Sequence, residues 1–443
     1  MGAWFLKGAT KLPRGLPASM QDLIDEINAA YPDDPKIRAL FANCFSNTYE
    51  TTIKPQQDGT TFVITGDIPA MWLRDSAAQV RPYLVLAEKH HRMAGLIQGV
   101  IQRQMTYINH DPYANAFNET ANGHRYNDDD TKMTPLIWER KYEIDSLCYP
   151  VQLAYLFWKS TGRTEHFNES FRQAVDKIIA TWKVEQHHHR DSDYYFRRDD
   201  CPEQDTLSHD GEGAPVGYTG MTWSGFRPSD DACQYGYLVP ANMFVVVVLG
   251  YIAEIAAEIL QDDEIAGAAR KLAAEINQGI QSYGVVDHPK FGHIYAYETD
   301  GLGNYNLMDD ANVPSLLSAP YLGYCSSNDP IYQNTRAFLL SEENPYFYSG
   351  QVAKGIGSPH TPERYIWHIA LAIQGMTAKT GKEKQDILDL FKQTDGYTNL
   401  MHEGFHVDDP EIFTREWFSW ANSMFSEFVL HLNEKNVKGS PLE

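Results

Sequence analysis

The chain has little positive charge. Its 443 residues include 37 lysines and arginines against 59 aspartates and glutamates, so the formal net charge at pH 7 is −22. Nucleic acids and anionic membrane surfaces bind proteins through clustered Lys and Arg. We therefore expect no nucleic acid and no membrane as partners, and the composition favours a protein that handles a neutral ligand.

The chain also has few cysteines, and the number, five, is odd, with no CxxC pair. These features predict reduced thiols and a cytoplasmic location. The opening residues, Met1–Lys7, lack the basic region and long apolar run of a secretion signal, in agreement with that expectation. The cysteines are Cys44, Cys148, Cys201, Cys233 and Cys325.

One long hydrophobic run, Met243–Ala253, invites a comparison with membrane helices. It is too short to cross a bilayer, and Pro240 and Asn242 precede it while Glu254 follows it. The run therefore predicts a helix buried inside the fold.

Several catalytic motifs are missing from the sequence. It contains no Walker loop, no GxGxxG, no GxSxG and no HExxH, so nucleotide-binding, serine-hydrolase and zinc-protease functions lose their usual support. Asn127–Asp130 lacks the alternating ligands of a calcium loop, and His187–His189 has no second ligand cluster. We predict no metal and no cofactor.

Helical periodicity dominates what is present, and long loops rich in Gly, Pro, Asp and aromatics separate the helices. Helix pairs that alternate with six such loops predict an all-α fold, an (α/α)6 barrel, in a single catalytic domain over residues 1–443. Thr361-Pro362-Glu363 has the composition of a helix start. Short strands are predicted at 61–65, 194–197 and 293–297. The helices are predicted at 19–31, 37–50, 76–89, 91–109, 142–160, 165–183, 236–260, 263–282, 329–340, 362–379, 384–395 and 417–433.

The segment Thr65–Val80 has the composition of a sugar-binding site. Trp72 offers an apolar face to a sugar ring, and Arg74 and Asp75 form paired hydrogen bonds to neighbouring hydroxyls. Asp67, eight positions before Asp75, supplies a second carboxylate. We list all four as candidate substrate-binding residues.

Hydrolysis of a glycosidic bond usually needs two carboxyl groups. In Gly220–Cys233, the adjacent Asp230 and Asp231 follow Trp223 and Arg227, which are candidate substrate contacts. Adjacent carboxylates beside an apolar wall have one pKa raised, which suits a general acid. Alternatively, an acid or hydroxyl in this segment only caps the following helix.

Glu403, in the loop Leu400–Pro410, is the candidate general base, and its alternative is an ordinary surface glutamate. Glu416 is the second candidate base. It lies beside Trp417, which either contacts substrate or belongs to the core.

Three further loop residues are candidate substrate contacts. Glu139 and Asp145 lie around Arg140 and form either a polar subsite or a salt-bridge network at a helix start. His360 either reaches a substrate hydroxyl or stabilises a turn.

Several unusual strings, in order over residues 20–433, resemble glycoside hydrolase family 125. This resemblance implies an (α/α)6 barrel that releases non-reducing terminal α-1,6-linked mannose with inversion, without a metal. It implies an α-mannoside oligosaccharide as substrate and a place in N-glycan degradation. The strings are GDIPAMWLRDSAAQV, YEIDSLCYP, GMTWSGFRPSDDAC, MDDANVPSLLSAPYLGY, GIGSPHTP, MHEGF and FSWANSMF.

The resemblance also implies roles for the candidates. Asp230 is the expected general acid, with Asp231 as the adjacent alternative, and Glu403 is the expected general base. Arg74 and Asp75 are expected to contact the terminal mannose. One departure is Gly404, because the family string reads more like MHES; the resemblance also disfavours Glu416 as the base.

Two alternative functions stay open at this point. One is another barrel glycosidase, such as a glucosidase or a trehalase-like enzyme. The other is a non-catalytic carbohydrate-binding protein on the same scaffold. A structural or interaction protein is disfavoured by the density of aromatics and acids in the loops.

Overall fold

A computed structural model describes residues 15–442. Residues 1–14, which include the N-terminal segment discussed above and the first part of the predicted domain, and residue 443 lie outside the described residues. Short 3₁₀ segments occur at Arg81–Tyr83 and Glu203–Asp205, and a π-helical segment, Ala256–Leu260, extends one helix. The α-helices of the described part are α1 (Ala18–Ala30), α2 (Pro35–Thr51), α3 (Leu73–Val80), α4 (Leu84–Ala87), α5 (His91–His110), α6 (Asp145–Thr161), α7 (Glu169–Glu185), α8 (His188–Asp191), α9 (Ser208–Gly211), α10 (Val239–Ile255), α11 (Asp263–Tyr283), α12 (Ala319–Leu322), α13 (Pro330–Leu339), α14 (His368–Met376), α15 (Gly381–Gln393) and α16 (Ser419–Leu432).

Twelve of the helices form two concentric layers. Helices α3, α6, α10, α12, α14 and α16 form the inner layer, in which α3 packs on α6, α6 on α10, α10 on α12, α14 on α16, and α16 on α3. Each is preceded along the chain by an outer helix, in order α2, α5, α7, α11, α13 and α15. This arrangement confirms the predicted (α/α)6 barrel.

Outer and inner helices differ in how much of their surface is buried. Outer helix α11 buries only one stripe, which includes Ile265, Ala269, Leu272, Ile276 and Ile280. This pattern is typical of an amphipathic helix whose other face meets solvent. Inner helices are buried on most sides because neighbouring helices cover them, and α3 is buried along its whole length although it carries Arg74, Asp75 and Gln79.

Helix α10 contains the long hydrophobic run. With its π-helical extension, it is the one helix in residues 15–442 that is long and apolar enough to cross a membrane, with a mean hydropathy of 2.2. Half of the most apolar stretch of this helix is buried in the fold, where α10 packs between α6 and α11. This packing agrees with the prediction of a buried helix.

Short strands occur in the loops at the ends of the helices. They form two- and three-stranded antiparallel sheets, in the orders β1-β2, β3-β4-β5, β6-β9-β10, β7-β8, β11-β12 and β13-β14-β15. The predicted strands at 61–65 and 293–297 correspond to β2 and β8, whereas 194–197 contributes only an isolated bridge between Arg197 and Asp130. The strands are β1 (Ile53–Pro55), β2 (Thr61–Val63), β3 (Met71–Trp72), β4 (Ala116–Phe117), β5 (Ile137–Glu139), β6 (Tyr237–Leu238), β7 (Val285–His288), β8 (Gly292–Tyr295), β9 (Glu298–Thr299), β10 (Tyr305–Asn306), β11 (Phe347–Ser349), β12 (Lys354–Ile356), β13 (Tyr365–Trp367), β14 (Gly404–His406) and β15 (Asp409–Phe413).

Strand pairing determines the first residue of some inner helices. The helix predicted to start at residue 362 begins instead at His368, because Tyr365–Trp367 pairs with Gly404–His406 as β13 and β14. In the same way, β3 ends where α3 begins. Several strand-to-helix junctions therefore lie at one end of the barrel, where the positive ends of the inner-helix dipoles favour negative charge.

A buried polar cluster links the inner helices. Arg81 donates through Nε to Glu427 Oε1 at 2.9 Å and through Nη1 to Gln152 Oε1 at 2.8 Å. The Tyr321 hydroxyl donates to Glu427 Oε2 at 3.0 Å. Because the charges are paired and hydrogen-bonded, the barrel interior tolerates them.

Candidate active site

A small cavity opens at the strand-to-helix end of the barrel, and the empty space in and around it, part of which is open solvent, is about 350 Å³. It brings together residues that are far apart along the chain, and both Asp230 and Glu403 line it. The other lining residues are Thr65, Ile68, Trp72, Arg74, Asp75, Pro228, Ser229, Asn312, His360, Trp367, Arg415, Phe418 and Trp420.

Asp230 lies on a tight turn and not at a helix start. Its backbone N–H donates to Arg227 O at 2.9 Å, and Arg227 N–H donates to Asp231 O at 2.7 Å. Its φ of 69° is in the left-handed region, where a residue with a side chain is strained. The next helix, α10, begins only at Val239, so the alternative that this segment merely caps a helix does not hold.

Arg74 is the central cation of the site and is 2% exposed. Its Nη1 donates to Glu143 Oε2 at 2.5 Å and to Asp145 Oδ2 at 3.2 Å. Its Nη2 lies 3.6 Å from Asp230 Oδ1, and its Nε lies 3.4 Å from Asp75 Oδ2. Arg74 thus holds a group of carboxylates together at one wall of the cavity.

Glu143 was not among the residues predicted from the sequence. Its side chain is fully buried, at 0% exposure, whereas the Asp230 side chain keeps 31% exposure toward the cavity. Asn115 Nδ2 lies 3.5 Å from Glu143 Oε1 and 3.5 Å from Asp230 Oδ1. The two carboxyl groups therefore share both a guanidinium and an amide.

The sequence did contain a signal for Glu143. It lies between Glu139 and Asp145, in the charged string that was already a candidate for a polar subsite.

The protonation of these two carboxyl groups is coupled. Burial raises the pKa of Glu143 well above its usual range, and the negative charge of Asp230 raises it further. Burial alone would raise the pKa of Asp230 as well, but the hydrogen bond from Glu143 and the charge of Arg74 hold it down to about 2. Two buried carboxyl groups that share the same donors do not both ionise readily, and the opposite directions of the two pKa shifts favour one proton on the Glu143 side of the pair.

Asp75 is a buried carboxylate in the cavity wall. Within residues 15–442, its Oδ2 atom has no hydrogen-bond partner. Burial, opposed by the charge of Arg74, raises the pKa of Asp75 to about 6. The side chain is therefore available to a ligand.

Asp231 is turned away from its neighbour Asp230. Its Oδ1 lies 2.8 Å from His360 Nδ1, and Asp231 is not among the residues that line the cavity. Burial would lower the pKa of His360, but the hydrogen bond to Asp231 and that carboxylate's charge raise it to about 9. His360 is thus a cation in the cavity wall at neutral pH.

Glu403 directly precedes β14, and Arg415 lies beside it. Arg415 Nη1 is 3.5 Å from Glu403 Oε1, while Arg415 Nε lies 3.0 Å from Asp67 Oδ2 and its Nη2 also bonds to Asp67. Asp67 therefore fixes a cation beside Glu403, and it does not line the cavity itself. Arg415 was missed from the sequence, although it lies next to Glu416 in the same aromatic loop.

Aromatic side chains form the apolar walls of the cavity. Trp72, Trp367, Phe418 and Trp420 line it, and the Arg74 guanidinium carbon lies 5.5 Å from the Trp420 ring centroid. Trp72 Nε1 and Trp420 Nε1 are buried without a hydrogen-bond acceptor among the described residues.

Trp417 and Glu416 lie outside the cavity lining. The Trp417 carbonyl instead packs against Gly66, where an added Cβ would approach it to 2.8 Å. Glu416 is exposed, which fits its lower rank as a candidate base.

Four other candidates from the sequence also lie outside the cavity lining. Trp223 stacks on His188 with ring centroids 3.5 Å apart, and Arg227 Nε donates to Glu298 Oε1 at 2.6 Å. Glu139 accepts from Arg198 Nη2 at 2.8 Å, and Asp145 binds Arg74. For Glu139 and Asp145 the structure therefore shows the salt-bridge network that was the alternative to a polar subsite.

Gly404, the departure from the expected family string, lies against Trp367. A Cβ at this position would lie 3.1 Å from Trp367 Nε1 and 3.2 Å from its Cδ1. Glycine thus lets β14 approach the indole that forms part of the cavity wall.

Across residues 15–442, no group of three or more His, Cys, Asp or Glu side chains is arranged to hold a metal ion. All five cysteines are free thiols in the structure.

Two carboxylates in one aromatic-walled cavity, at the loop end of an (α/α)6 barrel, define the class: a glycoside hydrolase. The profile of the family described as metal-independent α-mannosidase (GH125) matches residues 34–430. The chain belongs to this family.

Two relatives resemble the chain over most of its length. A structure of a metal-independent α-mannosidase from Streptococcus pneumoniae, a non-productive substrate complex with α-1,6-mannobiose, is 52% identical, with a TM-score of 0.92, 94% of this chain covered and 98% of that one. The meiotically up-regulated gene 157 protein of Schizosaccharomyces pombe is 39% identical, with 97% of this chain and 90% of the relative covered.

A more distant structure shows the fold alone. The glucoamylase from Saccharomycopsis fibuligera is 12% identical, with a TM-score of 0.57 over 98% of this chain and 99% of that one. The predicted family and barrel are confirmed.

Proposed function

We propose that the protein is an exo-acting α-1,6-mannosidase that inverts the anomeric configuration. Asp230 protonates the departing glycosidic oxygen, and Glu403 deprotonates the water that attacks C1 from the opposite face. The observation that carries this proposal is that Asp230 and Glu403, 173 positions apart in the sequence, line one small cavity in a chain of the α-mannosidase family.

The shape and chemistry of the cavity support an exo-acting enzyme. The cavity is small and lies at one end of the barrel, which suits one terminal sugar better than the middle of a long chain. Asp75 Oδ2 and the indole N–H groups of Trp72 and Trp420 lack hydrogen-bond partners among the described residues, although Asp75 also lies beside Arg74. Sugar hydroxyls would satisfy these buried polar groups, which otherwise carry a desolvation cost.

Two wall cations complete the proposed sugar site. His360 faces the cavity as an imidazolium, and Arg415 lies beside Glu403. Both donate hydrogen bonds only, so they suit the oxygen atoms of a sugar or an attacking water. Arg74, which was expected to grip mannose, is largely occupied by carboxylates, and we propose that it acts mainly by holding them in place.

Inversion adds a geometric requirement. With a mannose bound, the carboxyl groups of Asp230 and Glu403 should be roughly 6.5–9.5 Å apart, which leaves room for a water; roughly 5–5.5 Å would indicate retention. Asp231, hydrogen-bonded to His360, is the less suitable general acid because its carboxylate is turned out of the cavity.

The likeness to the Streptococcus pneumoniae enzyme suggests the substrate. That protein was captured with α-1,6-mannobiose and is described in terms of N-linked glycan processing. We propose the same linkage and an α-mannoside from N-glycan degradation for this chain, acting as one catalytic domain. The cytoplasmic location stays a prediction that rests on the cysteine content.

A substrate panel tests the proposal. The wild-type protein should release mannose from α-1,6-mannobiose much faster than from α-1,2- or α-1,3-mannobiose, and should not act on α-glucosides or trehalose. Asp230→Asn and Glu403→Gln should each lower kcat on α-1,6-mannobiose by at least about a hundredfold, since each removes a reacting group. Glu416→Gln, which changes the exposed alternative, is the matched control and should leave kcat unchanged.

Other outcomes would assign a different function. Faster cleavage of glucosides would indicate another barrel glycosidase. Binding of mannobiose without turnover would indicate a carbohydrate-binding protein, and near-normal kcat in either catalytic variant would reject the role of that residue.

A further inference from the structure

Behind Asp230 lies a second carboxyl group for which the proposed reaction has no step. Glu143 is buried at 0% side-chain exposure and does not line the cavity, so substrate does not reach it. It is nevertheless anchored: Arg74 Nη1 and Ser146 Oγ donate to its Oε2 atom at 2.5 Å and 3.1 Å. Burying a carboxyl group is costly even when it is paired, so the presence of Glu143 directly behind a reacting acid needs a physical explanation.

Two contacts connect Glu143 to Asp230. Arg74 reaches Glu143 through Nη1 and Asp230 through Nη2, at 2.5 Å and 3.6 Å. The Asn115 amide lies 3.5 Å from both carboxyl groups. The same two donors thus hold the pair side by side, with Asp230 toward the cavity and Glu143 behind it.

We propose that Glu143 is a positioning residue that stores the catalytic proton and passes it to Asp230. This inference rests on the proposed function, in which Asp230 is the general acid. In this proposal the proton lies on Glu143 before substrate binds, beside an ionised Asp230. When a glycosidic oxygen approaches Asp230, the proton moves to Asp230, and Arg74 stabilises the Glu143 carboxylate that remains.

The proton balance closes over one turnover. Asp230 gives the proton to the glycosidic oxygen as the C1–O bond breaks, while water forms the new bond to C1 and gives one proton to Glu403. Glu403 then releases that proton to solvent, and the pair takes one back from solvent. Glu143 thereby keeps Asp230 a usable acid although Arg74 and Lys141 both favour the ionised form of Asp230.

Other charged groups also face the pair. Asp75 lies on the same helix as Arg74, and Asp145 shares the Nη1 atom of Arg74 with Glu143. Lys141 Nζ donates to the Asp230 carbonyl at 2.7 Å. His360, Glu403 and Arg415 line the same cavity as Asp230. Asp145 therefore offers a matched control, because it binds the same guanidinium without sharing the Asn115 amide.

The experiment compares two substrates across a pH series. The first is α-1,6-mannobiose, whose leaving group needs a proton, and the second is 2,4-dinitrophenyl α-mannoside, whose leaving group departs without one. For Glu143→Gln we expect kcat/KM on mannobiose to fall at least about tenfold at neutral pH, since general acid catalysis is impaired. The alkaline limb of its pH profile should move to lower pH by at least about one unit, because Asp230 loses its negative neighbour and ionises earlier. Hydrolysis of the dinitrophenyl mannoside by Glu143→Gln should fall no more than it does in Asp145→Asn, the variant that perturbs the same guanidinium.

The control separates a proton store from a structural role. Asp145→Asn should lower activity on both substrates by similar factors and leave the alkaline limb in place, since it perturbs only Arg74. If Glu143→Gln behaves in that same way, or keeps the wild-type alkaline limb, the proposal is wrong. If Glu143→Gln does not fold, Glu143→Asp serves instead. It retains an ionisable partner, so its alkaline limb should stay near that of the wild type, and a shift to lower pH by about one unit or more would contradict the proposal.

Failure of this inference is distinguishable from failure of the proposed function. A wild-type protein without activity on α-1,6-mannobiose contradicts the function itself. If Asp230→Asn selectively loses mannobiose hydrolysis while Glu143→Gln resembles Asp145→Asn, Asp230 is the acid and only the role of Glu143 is rejected.

Discussion

Asp231 Oδ1 lies 2.8 Å from His360 Nδ1, and this contact directs Asp231 away from the cavity that Asp230 lines. Two adjacent aspartates thereby have separate environments. Asp230 faces the space where a sugar would lie, and Asp231 holds an imidazolium in the cavity wall. The ambiguity between the two acids in the sequence is thus resolved by geometry, in favour of Asp230 as the acid in the proposed reaction.

This ion pair predicts a pH dependence of stability. The pKa of His360 is raised to about 9 in the folded protein, against about 6.5 in an unfolded chain. A raised pKa contributes stability that is fully present below about pH 6.5 and is lost as the pH rises through about 9. In Asp231→Asn the pKa of His360 should fall. The melting temperature of this variant should therefore decline less between about pH 6.5 and 9 than that of the wild type.

Thermal unfolding across pH 6 to 9 measures this effect. His360→Gln is the matched control, because it removes the titrating group and should flatten the same pH interval. A decline of the wild-type size in Asp231→Asn would show that the pair does not set the ionisation of His360.

The contact of Asp67 with Arg415 predicts a second effect. Asp67 accepts hydrogen bonds from Nε and Nη2 of Arg415, whose Nη1 lies beside Glu403. Asp67→Asn removes the charge from a largely buried pair, and we expect a loss of about 1–3 kcal/mol in the free energy of unfolding. We also expect kcat/KM on α-1,6-mannobiose to fall about tenfold, since Arg415 is no longer held beside the base.

An exposed pair with similar geometry provides the comparison. Arg190 binds Asp191 through two hydrogen bonds of 2.7 Å at the protein surface. Asp191→Asn should change neither stability nor activity measurably, because exposed ion pairs contribute little. Denaturant unfolding measures the free energy of unfolding of both variants, and steady-state kinetics measure their kcat/KM. Equal effects in the two variants would contradict a special role for Asp67.

Gly404 predicts a packing effect at the cavity wall. A Cβ there would lie 3.1–3.2 Å from the Trp367 indole, closer than ordinary contact. Gly404→Ala should therefore destabilise the protein by about 1–2 kcal/mol and lower activity by displacing Trp367.

The control for this substitution is Gly267→Ala. Gly267 lies on the exposed face of α11 with nothing within 4 Å of an added Cβ, so alanine should stabilise the helix by about 0.5–1 kcal/mol. If Gly404→Ala were as stable as the wild type, the close approach to Trp367 would not matter.

Helix positions were largely predictable because their hydrophobic periodicity is local. The predicted helices at 91–109 and 263–282 correspond closely to α5 (His91–His110) and α11 (Asp263–Tyr283). Inner helix α12 was missed, since it is a single turn, Ala319–Leu322. The start of α14 was misplaced because a pairing between β13 and β14, distant in sequence, overrode the helix-start composition at Thr361.

A site residue could be predicted where a sequence motif alone brings its side chain to the cavity. It could not be predicted where its role depends on contacts with residues from distant parts of the chain. Arg74, Asp230 and Glu403 all reach the cavity. Trp223 and Arg227 belong to the same string as Asp230 but are paired with His188 and Glu298, respectively, outside the cavity lining. Glu143 and Arg415 gain their importance only from the contacts that the fold creates, so spacing along the chain did not single them out.

The most direct test of the central claim is the configuration of the first product. Proton NMR should follow the hydrolysis of α-1,6-mannobiose by the wild-type protein, with early spectra taken before mutarotation. Attack by a water activated by Glu403, opposite the oxygen protonated by Asp230, predicts that β-mannose appears first and that α-mannose follows only by mutarotation. If α-mannose is formed first, the enzyme retains configuration, and the proposed roles of Asp230 and Glu403 are contradicted.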